Sequence, residues 1–270
     1  MPKNVLVVGM ARSGTSLTAS IFVKKGYFVA EDPENQLQAA GPHNPGGYWE
    51  LEDVKEANVE VLKAVGFQHH NTWVAEEIRP EQAEDIFSLE HLEPHKELIR
   101  HLEAQQPWIL KDPRFCYTLA YWWPLMNPEN TSVLLVTRDP TEVRRSLLRT
   151  KWGAVSASEK RQFIRRIEDH IAFARKTIER FDIPHIEIDY RDYARRPKEM
   201  AHEIGRYFGI ELAPEDLGYQ SKYNTSALRG YLGYMAERIA GSLPAPVRRF
   251  LKRATPGFVI TSIFPNKSKR

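Results

Sequence analysis

The chain opens on four consecutive apolar β-formers, Val5-Leu6-Val7-Val8, closed by Gly9. An unbroken apolar run, unlike an alternating one, is the pattern of a strand buried on both faces of a parallel sheet. The period then becomes helical through Leu17, Ile21 and Phe22, until Gly26 stops the helix at about Lys25. Tyr27–Ala30 is a short second strand candidate. Residues 31–48 are rich in Pro, Gly, Asn and Gln, including Gly41-Pro-His-Asn-Pro-Gly-Gly47, and cannot be regular throughout. A loop of that length inside a domain is usually functional or disordered. Helical spacing returns over 52–65 through Val54, Ala57, Val61, Leu62 and Val65. Residues 76–106 read as a charged helical outer layer bearing His91, His95 and His101.

Pro107–Leu110 predicts a third strand, ending in Lys111-Asp112-Pro113-Arg114. Ser132–Thr137 predicts a fourth, ending in Arg138-Asp139-Pro140. Asp139 suits an N-cap, Pro140 the first helical position and Glu142 the first turn. Ser156 and Glu159 form a capping box opening a longer helix, with Phe163, Ile167, Ile171, Ala174, Ile178 and Phe181 on one face. Ile183–Tyr190 alternates as a fifth strand, and a helix follows around 197–208. There are no internal repeats. Strands and helices in this rhythm predict an α/β fold, with a doubly wound, mostly parallel central sheet of about five strands and helices on both faces. Ligands of such sheets bind at the carboxyl ends of the strands. That rule gathers the Gly9 loop, Lys111–Arg114, Arg138–Glu142 and Asp189–Tyr190 into one place.

Composition narrows the class. No apolar run is long enough for a membrane-spanning helix, and the N-terminal residues lack signal-peptide character. The single cysteine, Cys116, excludes an internal disulfide framework and a multi-cysteine zinc site. These features predict a cytoplasmic protein. His69-His70 has no carboxylate or cysteine partner at ligand spacing, so no metal site is expected. From Arg238 onward there are eight Lys/Arg and no Asp or Glu; the 30 other basic residues face 35 acidic ones, a net of −5. Such a basic tail could meet an anionic membrane, a polyanion or an acidic partner, or simply be solvated.

The strand-to-helix turn Gly9-Met-Ala-Arg12-Ser13-Gly14-Thr15-Ser16 carries the chemistry. Its glycines allow the backbone to curl and present N–H groups, and the following helix adds its positive dipole end, which makes an anion cradle. The spacing is that of a P-loop, but Thr15 stands where a nucleotide triphosphatase has its lysine. Arg12 is the only cation in the loop, and guanidinium matches phosphate oxygens bidentately. The loop suits a nucleotide whose phosphate leaves, more than one whose γ-phosphoryl is passed on with Mg²⁺.

On these residues the chain resembles the P-loop-related sulfotransferases that use 3′-phosphoadenosine 5′-phosphosulfate (PAPS), a family including carbohydrate and tyrosylprotein sulfotransferases. In that family a [KR]-x-G-T-[ST] loop binds the 5′-phosphosulfate, and Arg12 through Ser16 is similar. A second signature, a strand ending in Arg-[DN]-P and a serine on the next helix, holds the 3′-phosphate. Arg138-Asp139-Pro140 followed by Ser146 matches it, with eight residues from arginine to serine. Asn44-Pro-Gly-Gly-Tyr48-Trp49-Glu50 and Trp108-Ile-Leu-Lys111-Asp112-Pro113-Arg114 resemble a bacterial and polysaccharide-type subset. The resemblance covers roughly residues 4–210.

The resemblance implies sulfuryl transfer from PAPS to a hydroxyl acceptor, a carbohydrate or other metabolite, leaving 3′,5′-adenosine bisphosphate (PAP), without metal or nucleic acid. Arg12, Ser13, Gly14, Thr15, Ser16, Arg138, Ser146 and Arg114 are the expected cofactor-binding residues. Glu50 is the preferred general base and His43 the runner-up, with Arg12 and Lys111 as further catalytic groups. Lys111 would stabilise the sulfuryl oxygens; Arg114 would contact the cofactor or an anionic acceptor. The rivals are an ATP-dependent P-loop kinase and a non-catalytic nucleotide-binding protein. The transferase domain is expected over 1–235, with a possible cofactor-covering loop from Lys222 to Gly230 and a basic extension over 236–270.

Overall fold

Among the described residues four parallel strands form one sheet: β1 (Asn4–Val8), β2 (Ile109–Lys111), β3 (Thr131–Thr137) and β4 (His185–Asp189), in the order β2-β1-β3-β4. The computed structural model describes residues 2–41, 44, 46–73, 77–150 and 160–219. His43, the Ser156–Glu159 capping box, the 222–230 loop, the expected boundary near 235 and the basic tail lie outside the described residues. Tyr27–Ala30, the second strand candidate, does not form a strand of this sheet. It makes one parallel bridge, Phe28 to Trp108, beside the short edge strand β2. Phe28 exchanges hydrogen bonds with the Pro107 carbonyl and the Ile109 amide, both at 2.9 Å, and the pairing ends there.

Every β1 side chain is buried, as its unbroken apolar run requires. Leu6 and Val8 share a core with Val133 and Leu135 of β3 on one face, whereas Val5 and Val7 pair with Leu134 and Val136 on the other. Onto the first face pack α3 (Glu52–Ala64), α5 (Glu93–Glu103), α6 (Phe115–Trp122) and α8 (Lys160–Arg180). The second face is covered by α1 (Thr15–Lys24) and α10 (Pro197–Phe208). Shorter helices are α2 (Pro33–Gln36), α4 (Pro80–Asp85) and α9 (Asp192–Arg195).

All eight residues of α6 are buried, including Trp122. A helix apolar all round has no amphipathic period, which is why the sequence pattern did not signal it. By contrast α7 (Pro140–Arg149) begins as its sequence predicts: Pro140 is its first residue, and Asp139 Oδ1 accepts from the Glu142 amide at 3.1 Å. Parallel order brings the carboxyl ends of all four strands to one edge, and the loops that follow them build the site.

Candidate active site

β1 runs into the Gly9–Gly14 turn, and α1 begins at Thr15. The Ser13 amide donates to the Met10 carbonyl at 3.1 Å, closing the turn. Two residues take left-handed backbone, Arg12 with φ +70° and Gly14 with φ +101°. A Cβ on Gly14 would stand 2.1 Å from Cδ2 of Tyr190, and one on Gly9 would stand 2.5 Å from the Val136 carbonyl oxygen. Both glycines are therefore demanded by space, and Gly14 also by its φ. Arg12 has no such excuse, and its left-handed backbone is the kind of strain that clusters at functional sites.

The second motif meets this loop directly. Arg12 Nε donates to Ser146 Oγ at 3.2 Å, from the loop to a serine buried on α7. Arg138 Nη1 donates back to the Arg12 carbonyl at 3.2 Å, while its Nε holds Glu142 Oε2 at 2.9 Å. The Arg138 guanidinium also lies 4.6 Å from the ring centre of Tyr190, the residue that closes over Gly14. Next to Tyr190, burial would lift the Asp189 carboxyl, but hydrogen bonds and charge from Arg191 hold it below its ordinary value. Two arginines, a serine and a helix start thus converge from β1 and β3, a donor set suited to more than one phosphate.

Beside the loop opens a cleft of about 540 Å³, lined by Arg12, Thr15, Ser16, Tyr48, Glu50, Trp73 and Arg114 among others. Glu50 precedes α3 after a turn in which Gly47 (φ +88°) and Trp49 (φ +58°) are left-handed. Its carboxylate accepts from Lys111 Nζ, the last residue of β2, and both groups are buried. Burial pushes the Glu50 carboxyl up; Lys111 opposes, Asp112 reinforces, and the net direction is upward. A buried pair of this kind contributes little net stability, but removing one partner strands a charge. Tyr48 lies within the fields of both Arg12 and Glu50, and burial raises its hydroxyl pKa too.

A sequence profile described as "Sulfotransferase family" matches residues 2–214. The chain belongs to the sulfotransferase family. Among solved structures, this sulfotransferase is similar to the sulfotransferase domain of the Synechococcus PCC 7002 olefin synthase, at 15% identity and TM-score 0.44, over 83% of this chain and 78% of that one. It is also similar to sulfotransferase STF1 of Mycobacterium tuberculosis H37Rv, at 16% identity and TM-score 0.43, over 85% and 75% of the two chains. No curated protein matches it.

Of the residues singled out from the sequence, Ser146 and Arg138 each contact Arg12, and Glu50 meets Lys111. Thr15 and Ser16 start α1 at the cleft, and Ser13 is buried beneath the turn. Arg114 lines the same cleft, but its guanidinium is engaged by Asp112, His70 and Asn71. Trp122 and Trp123 are core, whereas Trp73 is a cleft wall. Sequence reasoning missed Asn71 and Gln38 in the sulfotransferase cleft, because loop residues carry no period and their partners are distant in sequence.

Proposed function

We propose that this sulfotransferase uses PAPS as donor and sulfates a hydroxyl acceptor by in-line displacement. The observation that supports this donor most is the contact of Arg12 with Ser146, which joins the two motifs suited to the nucleotide's 5′ and 3′ ends. When bound, PAPS supplies an activated sulfuryl group on a phosphate that leaves as part of PAP. Arg12 and the first-turn amides of α1 neutralise charge on the leaving side. Arg138 and Ser146 hold the second phosphate, and Ser16 adds a hydroxyl donor at the cleft. Lys111 sets positive charge beside Glu50. Glu50 takes the proton of the acceptor hydroxyl, a task for which a carboxylate made more basic by burial is suited.

Thr15 in place of a lysine weighs against a kinase, and thermal shift separates the readings. PAP without metal should raise the unfolding temperature, because a ligand of the folded state stabilises it by mass action. Stabilisation by ATP–Mg²⁺ alone would sink the proposal.

A further inference from the structure

Arg114 is buried, and all three nitrogens of its guanidinium are engaged by protein. Nη1 donates to both oxygens of Asp112, at 3.0 and 2.9 Å. Nε donates to the His70 carbonyl at 2.7 Å, and Nη2 to Asn71 Oδ1 at 3.2 Å. The guanidinium carbon lies 5.5 Å from the centre of the Trp73 ring. Asp112 itself is set by accepting from the Arg114 amide at 2.7 Å.

The stretch Asn71–Trp73 belongs to no helix or strand, yet Thr72 and Trp73 are buried. Its other end is pinned by α8. His170 Nδ1 lies 2.6 Å from the Arg166 carbonyl and therefore carries the hydrogen, which leaves Nε2 to accept from the Thr72 hydroxyl at 2.8 Å. Burial lowers the His170 pKa to about 4, so this neutral arrangement holds across the physiological range. His70, Asn71 and Trp73 in turn line the cleft that carries Glu50. A guanidinium already matched by its own carboxylate, and donating to a main-chain carbonyl, holds protein in place; a phosphate ligand would need that fork open.

We propose that Arg114 is a positioning residue for the acceptor: with Asp112 it fixes residues 70–73 as the wall that orients the hydroxyl compound beside Glu50. This rests on the sulfotransferase reading above. The wall meets the acceptor chiefly with an aromatic ring and an amide.

The test uses the full chain with Arg114→Lys, which keeps the charge and loses the planar fork, and Thr72→Val, which loses only the far hydroxyl. Hydrogen exchange over 68–73 should accelerate about tenfold or more in both variants. PAP affinity by calorimetry should stay within about twofold of wild type. With phenol and methyl β-glucoside as probe acceptors, acceptor KM should rise about fivefold or more at nearly constant kcat. Weaker PAP binding in Arg114→Lys at unchanged exchange overturns the proposal and assigns Arg114 to the donor. Unchanged exchange in both variants overturns it as well, as does faster exchange with unchanged acceptor KM. If neither probe is turned over, exchange and PAP affinity decide. Failure of wild type to bind PAP sinks the donor reading instead, while exchange still reports on the wall.

Discussion

Arg12 and Ser146 lie 134 positions apart in the chain and share a hydrogen bond of 3.2 Å. The loop after β1 and the helix after β3 are therefore in direct contact, and if they bind the donor as proposed their contributions should not add. Arg12→Ala and Ser146→Ala should each weaken PAP binding. The double variant should lose less than the sum, with a coupling of about 1 kcal/mol. A calorimetric double-mutant cycle measures it, and strict additivity would separate the two sites.

The Glu50–Lys111 pair predicts a split between binding and transfer. Glu50→Gln should keep PAP affinity while transfer falls by about a hundredfold to ten-thousandfold. Since burial raises the Glu50 pKa, and only the ionised carboxylate can accept a proton, transfer should increase with pH through that raised value. The acid limb of kcat/KM should therefore lie above 4.5 in wild type and vanish in Glu50→Gln. A limb at the ordinary carboxylate position would move the base elsewhere.

Gly14→Ala tests the closest backbone approach in the site. The added Cβ meets the Tyr190 ring at 2.1 Å and the residue keeps φ +101°, so the cost should be about 3 kcal/mol or more. Adding Tyr190→Ala should remove the clash but not the backbone strain. Denaturant titration should thus show partial recovery; full recovery would mean that φ contributes nothing.

His170 predicts an acid-dependent stability. Its folded pKa is depressed from 6.5 to about 4, so the unfolded chain takes up a proton that the folded chain refuses. Stability from this source is complete above the unfolded value and is lost as pH falls toward the folded one. Between pH 7 and 5 the loss should be about 2 kcal/mol, and His170→Gln should abolish that increment. Equal pH slopes for both proteins would show that His170 does not stay neutral.

Legibility in the sequence followed the physics of each feature. β1, β3 and α7 announce themselves, because burial on two faces and a capped helix start leave local patterns at Val5–Val8, Ser132–Thr137 and Asp139–Glu142. The convergence of Arg12, Arg138 and Ser146 was also readable, since parallel topology sends successive strand ends to one edge. Tyr27–Ala30 misled, because a short apolar run satisfies the strand pattern whether or not a ladder exists to receive it. Trp73 reads from its residue type as core or as a wall of the acceptor cleft, and it lines that cleft, but the anchoring of its stretch was invisible: Thr72 finds its partner 98 residues away on α8, and no local spacing encodes that. Nor does anything in Arg12 or Trp49 announce a left-handed backbone.

The strand order gives the site a compass. Neighbouring strands stand about 4.8 Å apart, so three steps from β2 to β4 span about 14 Å. Along that line lie Lys111, the phosphate loop, Arg138 and Tyr190 in turn. A donor held as proposed would have one phosphate at the loop after β1 and the other at the end of β3, one strand spacing away, with Glu50 and Lys111 on the β2 side. Chain order and spatial order differ, because β1 sits between β2 and β3. The order of the two phosphate-binding segments along the sheet thus follows from the crossovers, and a circular permutant that kept the strand order would keep it.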